Sequence, residues 1–125
     1  MKNGPGVIWL KIAVLYFIGG VGLGIYMAAS HDHALVPVHA HINLLGWVSL
    51  ALIGLIYRQF PEIATNRLAT TQFWLHNTAL PVAMLALTGI LRGNAALEPV
   101  AGASASVIGV SAILFAVNLF KGSRS

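Results

Sequence analysis

Four stretches of this 125-residue chain, 12–30, 34–57, 68–91 and 99–120, contain no Lys, Arg, Asp or Glu. Each reaches the roughly 20 residues that a helix needs to cross about 30 Å of hydrocarbon. In lipid the backbone must satisfy its own polar groups, so an apolar run of that length folds as a helix. The sequence therefore predicts an all-α membrane protein of one domain, an up-down bundle of four transmembrane helices at about 7–29, 37–58, 68–91 and 99–120. Only 8% of its residues are charged, against about 25% in a soluble domain, which excludes a soluble fold. A cleavable leader ending at Ala28-Ala29-Ser30 is the alternative for the N-terminus, but its apolar run exceeds the 7–15 residues of a signal core. Retention as a helix is the expectation.

The net charge of +4 and pI of about 10.0 would suggest nucleic acid in a soluble chain; here they report topology. Lys2, Lys11, Arg58, Arg67, Lys121 and Arg124 fall on one side of a four-span arrangement and Arg92 on the other. The excess of Lys and Arg marks the cytoplasmic side. Both termini and the 58–68 loop are thus expected in the cytoplasm, with 31–41 at the outer face, periplasmic if the membrane is a bacterial inner membrane. The chain contains no cysteine, so disulfides and thiolate metal sites are excluded.

Four of the five histidines, His31, His33, His39 and His41, lie at or just inside the second apolar run, and the fifth, His76, lies in the third. An ionisable side chain in a membrane segment is a functional-site candidate by default. Pro37 suits a first helical turn. At about 100° per residue, His39 and His41 point roughly 200° apart and cannot easily share one ion; each looks into a different helix interface. They either hydrogen-bond between helices or hold a ligand. Asn43 can orient an imidazole through its second nitrogen, and Trp47 can wall an apolar cavity. Asp32 can hold a divalent cation, pair with a cationic side chain, or belong to an ordinary polar turn. His76 and Asn77 are expected chiefly to hydrogen-bond between helices, with a metal-ligand or proton-relay role as the alternative. Pro81 should disturb the third helix, since it has no N–H for the carbonyl of Asn77. Arg92 is either an interfacial arginine or the partner of a carboxylate. Gly20-x-x-x-Gly24 permits close packing or a groove for a flat cofactor.

The run His31-Asp32 … His39-Ala40-His41 … Gly46, closing at Phe60-Pro61, resembles the tenth transmembrane helix of haem-copper oxidase subunit I, and 67–81 is similar to the start of the eleventh. The four spans look like the last four of that family's twelve. The resemblance implies that His39 matches the axial ligand of the high-spin haem and His41 one of two ligands of the low-spin haem. It implies that His31 and Asp32 match residues near haem propionates and a divalent cation. The chain lacks the other eight helices, the second low-spin ligand, the copper ligands in their usual places and the His–Tyr pair. A complete dioxygen-reducing site within one chain is therefore not expected. Because the family's helices form three arcs of four, a four-helix relative can rebuild the ring as a homotrimer.

Two classes of function follow. One is a b-type haem protein, with or without copper, for electron transfer, gas binding or a modest oxidoreductase reaction, its electrons supplied by a protein or a quinol. The other is a non-haem copper or zinc protein for storage, sensing or transfer, using His39, His41 and His76 or the outer histidines. An accessory oxidase subunit is a third, structural possibility.

Overall fold

The computed structural model describes residues 4–122; Lys2 and Arg124, which enter the topology expectation, lie outside them. Four helices account for almost all of the described chain: α1 (Val7–Ser30), α2 (Val36–Gln59), α3 (Arg67–Leu91) and α4 (Glu98–Gly122). All four are long and apolar enough to span a membrane, and no strand occurs among the described residues. Short 3-10 turns, Pro61–Ile63 and Ala95–Leu97, lead into the last two helices.

Local sequence explains the boundaries. Pro37 sits in the first turn of α2, where its missing N–H costs nothing. The side chain of Asn66 caps α3 by accepting from the backbone N–H of Ala69 at 2.9 Å, satisfying a donor that the helix leaves unpaired. α3 is helical on both sides of Pro81.

The middle of α2 departs from the regular helix that the sequence predicts. Ile42–Val48 is π-helical, a wider winding that is rare and often found at functional sites. Side chains take up carbonyls of this stretch: Ser49 Oγ donates to Leu44 O at 2.6 Å, and His76 Nε2 lies 3.0 Å from Leu45 O. Gly46 faces the ring of Tyr16, which a β-carbon would strike.

α1 packs along α2, and α3 along α4; fewer contacts join the two hairpins. Polar pairs make crossings at successive depths. Asp32 meets Arg92 at 2.9 Å, Leu45 O meets His76, Tyr57 donates to Gln72, and Asn118 Nδ2 donates to Ile63 O at 2.9 Å. Apolar packing fills the space between them in two clusters, one around Trp9, Leu50 and Tyr57, the other around Val38, Leu80 and Met84. Trp9 meets Phe73 edge to face at 5.2 Å, and Tyr57 meets Phe115 likewise at 5.5 Å, a geometry favoured by the ring quadrupoles. Leu15, Ile25, Leu85, Ile113 and Phe120 are exposed, as suits surfaces that face lipid acyl chains.

Candidate functional site

His41 closes the regular turn that precedes the π segment. Its Nδ1 lies 2.7 Å from the carbonyl of Pro37. A carbonyl can only accept, so Nδ1 carries a proton and, in the neutral ring, Nε2 keeps its lone pair. Such a bond fixes the tautomer and orientation of metal-binding histidines. His41 also lines a groove of about 270 Å³ between α2, α3 and α4, whose other walls include Leu45, Ala83, Met84, Ala101 and Ala105. The alanines keep those walls low. An exposed imidazole with one free ring nitrogen thus borders a shallow apolar slot.

His39 faces another helix. A β-carbon at Gly24 of α1 would lie 3.1 Å from His39 Cε1, and one at Gly20 would strike Asn43 Oδ1. The two glycines, four residues apart, seat His39 and Asn43, also four residues apart; Gly20-x-x-x-Gly24 is a polar seat here, not a groove for a flat ring. Asn43 Nδ2 stands 3.3 Å from His39 Nε2, while Nδ1 is buried without a partner. Either tautomer therefore leaves one nitrogen of this ring unsatisfied, and a buried polar group without a partner requires an explanation.

The outer residues form a clasp. Asp32 accepts from the backbone N–H of Ala34 at 3.1 Å and from Arg92 Nη1 at 2.9 Å. The Ala34 N–H first, and then the guanidinium, hold the carboxyl below its usual range. Of the roles that the sequence left open, Asp32 adopts that of partner to a cation, and Arg92 has its carboxylate within the chain. His31 ends α1 in a left-handed conformation, φ 56°, and is exposed with His33.

Trp47 stacks on Phe17 of α1 at 4.6 Å between ring centroids. His76 is buried against Leu45 O. His39, His41 and His76 are not brought together: among the described residues no group of three His, Cys, Asp or Glu is placed to hold a metal ion.

A second polar assembly gave no signal in the sequence beyond isolated Asn and Gln residues. Asn66 Nδ2 donates to Asn118 Oδ1 at 2.7 Å, Asn118 Nδ2 reaches Tyr57 Oη at 3.4 Å, and Tyr57 donates to Gln72 Oε1. Tyr57, Gln72 and Asn118 are fully or almost fully buried. A clue was available: polar residues inside apolar spans need partners.

Fold and site together define a four-helix membrane protein with one imidazole open to an apolar groove and another packed between helices. No family model matches the chain, nor does any curated protein or solved structure.

Proposed function

We propose that the protein binds a b-type haem in the groove beside His41 and serves electron transfer or a modest redox reaction. The observation that carries this reading is the His41–Pro37 bond, which leaves Nε2 as the lone-pair nitrogen of a side chain lining an apolar slot. Neutral imidazole is a common axial ligand of haem iron. Ala83, Ala101 and Ala105 let a flat ring approach the imidazole, and the lack of ionisable groups among the other lining residues keeps the slot apolar. The unsatisfied nitrogen of His39 makes it the second candidate metal ligand. Bound haem would supply a one-electron iron centre; the chain supplies the ligand and its fixed tautomer.

The register of His31-Asp32, His39-x-His41 and Phe60-Pro61 supports kinship with haem-copper oxidase subunit I. The groove is open on one side and is small for a macrocycle, which favours completion by another copy of the chain, a homotrimer in the ring arrangement. The charge distribution favours cytoplasmic termini in a bacterial inner membrane.

The test is an absorption spectrum with a pyridine haemochrome assay on protein purified from haem-replete cells. A Soret band is expected in the wild type and in His33→Ala, and its loss in His41→Ala. A colourless preparation that contains stoichiometric copper overturns the haem reading in favour of the metal-storage class.

A further inference from the structure

The chain of side-chain hydrogen bonds that starts at Asn66 has a direction set by backbone groups at its first two members. Asn66 Oδ1 accepts from the backbone N–H of Ala69, and a backbone amide can only donate. The other end of the Asn66 amide is therefore Nδ2, which donates to Asn118 Oδ1. Asn118 then presents Nδ2 to the Tyr57 oxygen and to Ile63 O, a carbonyl that confirms the orientation because it can only accept. Tyr57 in turn donates to Gln72 Oε1. Amide orientation is a matter of network consistency, and here every link agrees. Of the two settings of the Gln72 amide, the one with Oε1 toward Tyr57 gives the phenol proton an acceptor, so Gln72 ends the chain with its N–H2 group, and that nitrogen is buried with no partner.

Gln72, itself 0% exposed, is part of the wall of a cavity of about 300 Å³ between α2, α3 and α4. Leu52, Ile56, Ala112 and Phe115 supply apolar wall, and His76 lies one turn along α3 from Gln72. The Leu45 carbonyl fixes the proton of His76 on Nε2 and leaves the lone pair on Nδ1. No Lys, Arg, Asp or Glu lines the space. Leu52 is more than half exposed on the flank of α2, so the cavity opens along the lipid-facing side of the bundle. Its volume is at the lower end of ligand pockets, which are commonly apolar with a few convergent polar groups.

We propose that this cavity binds a neutral, lipid-soluble molecule through a carbonyl oxygen that accepts from Gln72, and that the molecule is a quinone headgroup. An orphan donor calls for an acceptor, the uncharged walls call for a neutral one, and the lateral opening calls for a ligand dissolved in the bilayer. The ester carbonyl of an acyl lipid has the same chemistry and is the other source. The site does not depend on haem at His41.

The experiment uses the full chain in nanodiscs of ether-linked lipid, which has no ester carbonyl, with ubiquinone-1 as probe. Retention of the quinone and the infrared carbonyl band of the probe are measured. The expected result is saturable binding with a carbonyl band shifted to lower frequency, affinity at least about tenfold weaker in Gln72→Met, and no change in Thr78→Val, outside the cavity. Ala112→Leu, which fills the space without touching the hydrogen-bonded chain, should lose binding too and covers poor folding of Gln72→Met. His41→Ala should bind quinone as the wild type does, which separates this test from that of the haem reading. In a second arm, discs of ester-linked lipid without quinone, a shifted ester band lost in Gln72→Met assigns the carbonyl site to acyl lipid and overturns the quinone. The carbonyl site itself falls if neither carbonyl shifts, or if Gln72→Met keeps both the shift and the affinity.

Discussion

The imidazole of His76 on α3 meets the backbone carbonyl of Leu45 at 3.0 Å, within the π-helical stretch of α2. One side chain thereby links the two hairpins and satisfies a carbonyl in a region where the helix does not wind regularly. Leu45 also borders both the His41 groove and the Gln72 cavity.

Removing that contact should loosen the bundle and, on the haem proposal, leave the Soret band in place. His76→Ala is expected to lower unfolding free energy by about 1 kcal/mol, between the usual net value of a hydrogen bond and the smaller average inside membranes. His76→Gln should recover part of it. Thermal melting of the purified protein in detergent checks both variants; if the wild type shows a Soret band, its loss in His76→Ala would make His76 a ligand.

The glycine seat discriminates between positions on one helix. Gly20→Leu forces Asn43 aside and is expected to cost about 1–3 kcal/mol, as overpacking does. Gly22→Leu, where a β-carbon meets nothing within 4 Å, should be neutral or slightly stabilising because glycine is a poor helix former. Equal melting temperatures for the two variants would contradict the packing of α1 on His39 and Asn43.

The Asp32 clasp sets an acid limit. Its carboxyl titrates below the ordinary value in the folded protein, so its contribution is complete above about pH 4, the usual carboxylate range, and is lost as pH falls through the lower folded value. The effect is small and weakens with salt because both side chains are exposed. Asp32→Asn should therefore flatten the acid limb of a melting-temperature profile at low ionic strength and leave neutral pH nearly unchanged.

Assembly is checked by native mass spectrometry from nanodiscs. A trimer that retains haem is expected; a monomer with haem bound would remove the ring arrangement while leaving His41 as the ligand.

Topology is checked with reporter fusions. Reporters active only in the cytoplasm should report at both termini and in the 60–66 loop, and periplasmic reporters should report only from the two outer loops, the one at 31–35 and the one containing Arg92.

The spans could be read from sequence because one physical requirement, a long uncharged run, fixes them directly. The structure runs α1 over Val7–Ser30 and α2 over Val36–Gln59, where the sequence predicts helices at about 7–29 and 37–58. Helical periodicity also indicates that His39 and His41 cannot share a face, and the structure gives one to Gly24 and the other to the α3–α4 side. The π winding was not legible, since the groups that meet it, Ser49, His76 and Tyr16, come from three helices. Nor was the chain from Asn66 to Gln72, whose members lie on separate elements and find one another only after packing. Asp32 and Arg92 each stand out in the sequence as charges beside apolar spans, but their pairing joins positions sixty residues apart.

The crossings between the hairpins act as index marks for sliding. Lipid tails compete with apolar side chains for contact, so two greasy hairpins could settle at many offsets with little difference in energy. Asp32 with Arg92, Leu45 with His76 and Tyr57 with Gln72 coincide at only one offset. A shift by one helical turn would break all three at once, so these few polar contacts make the alignment of the two hairpins all-or-none.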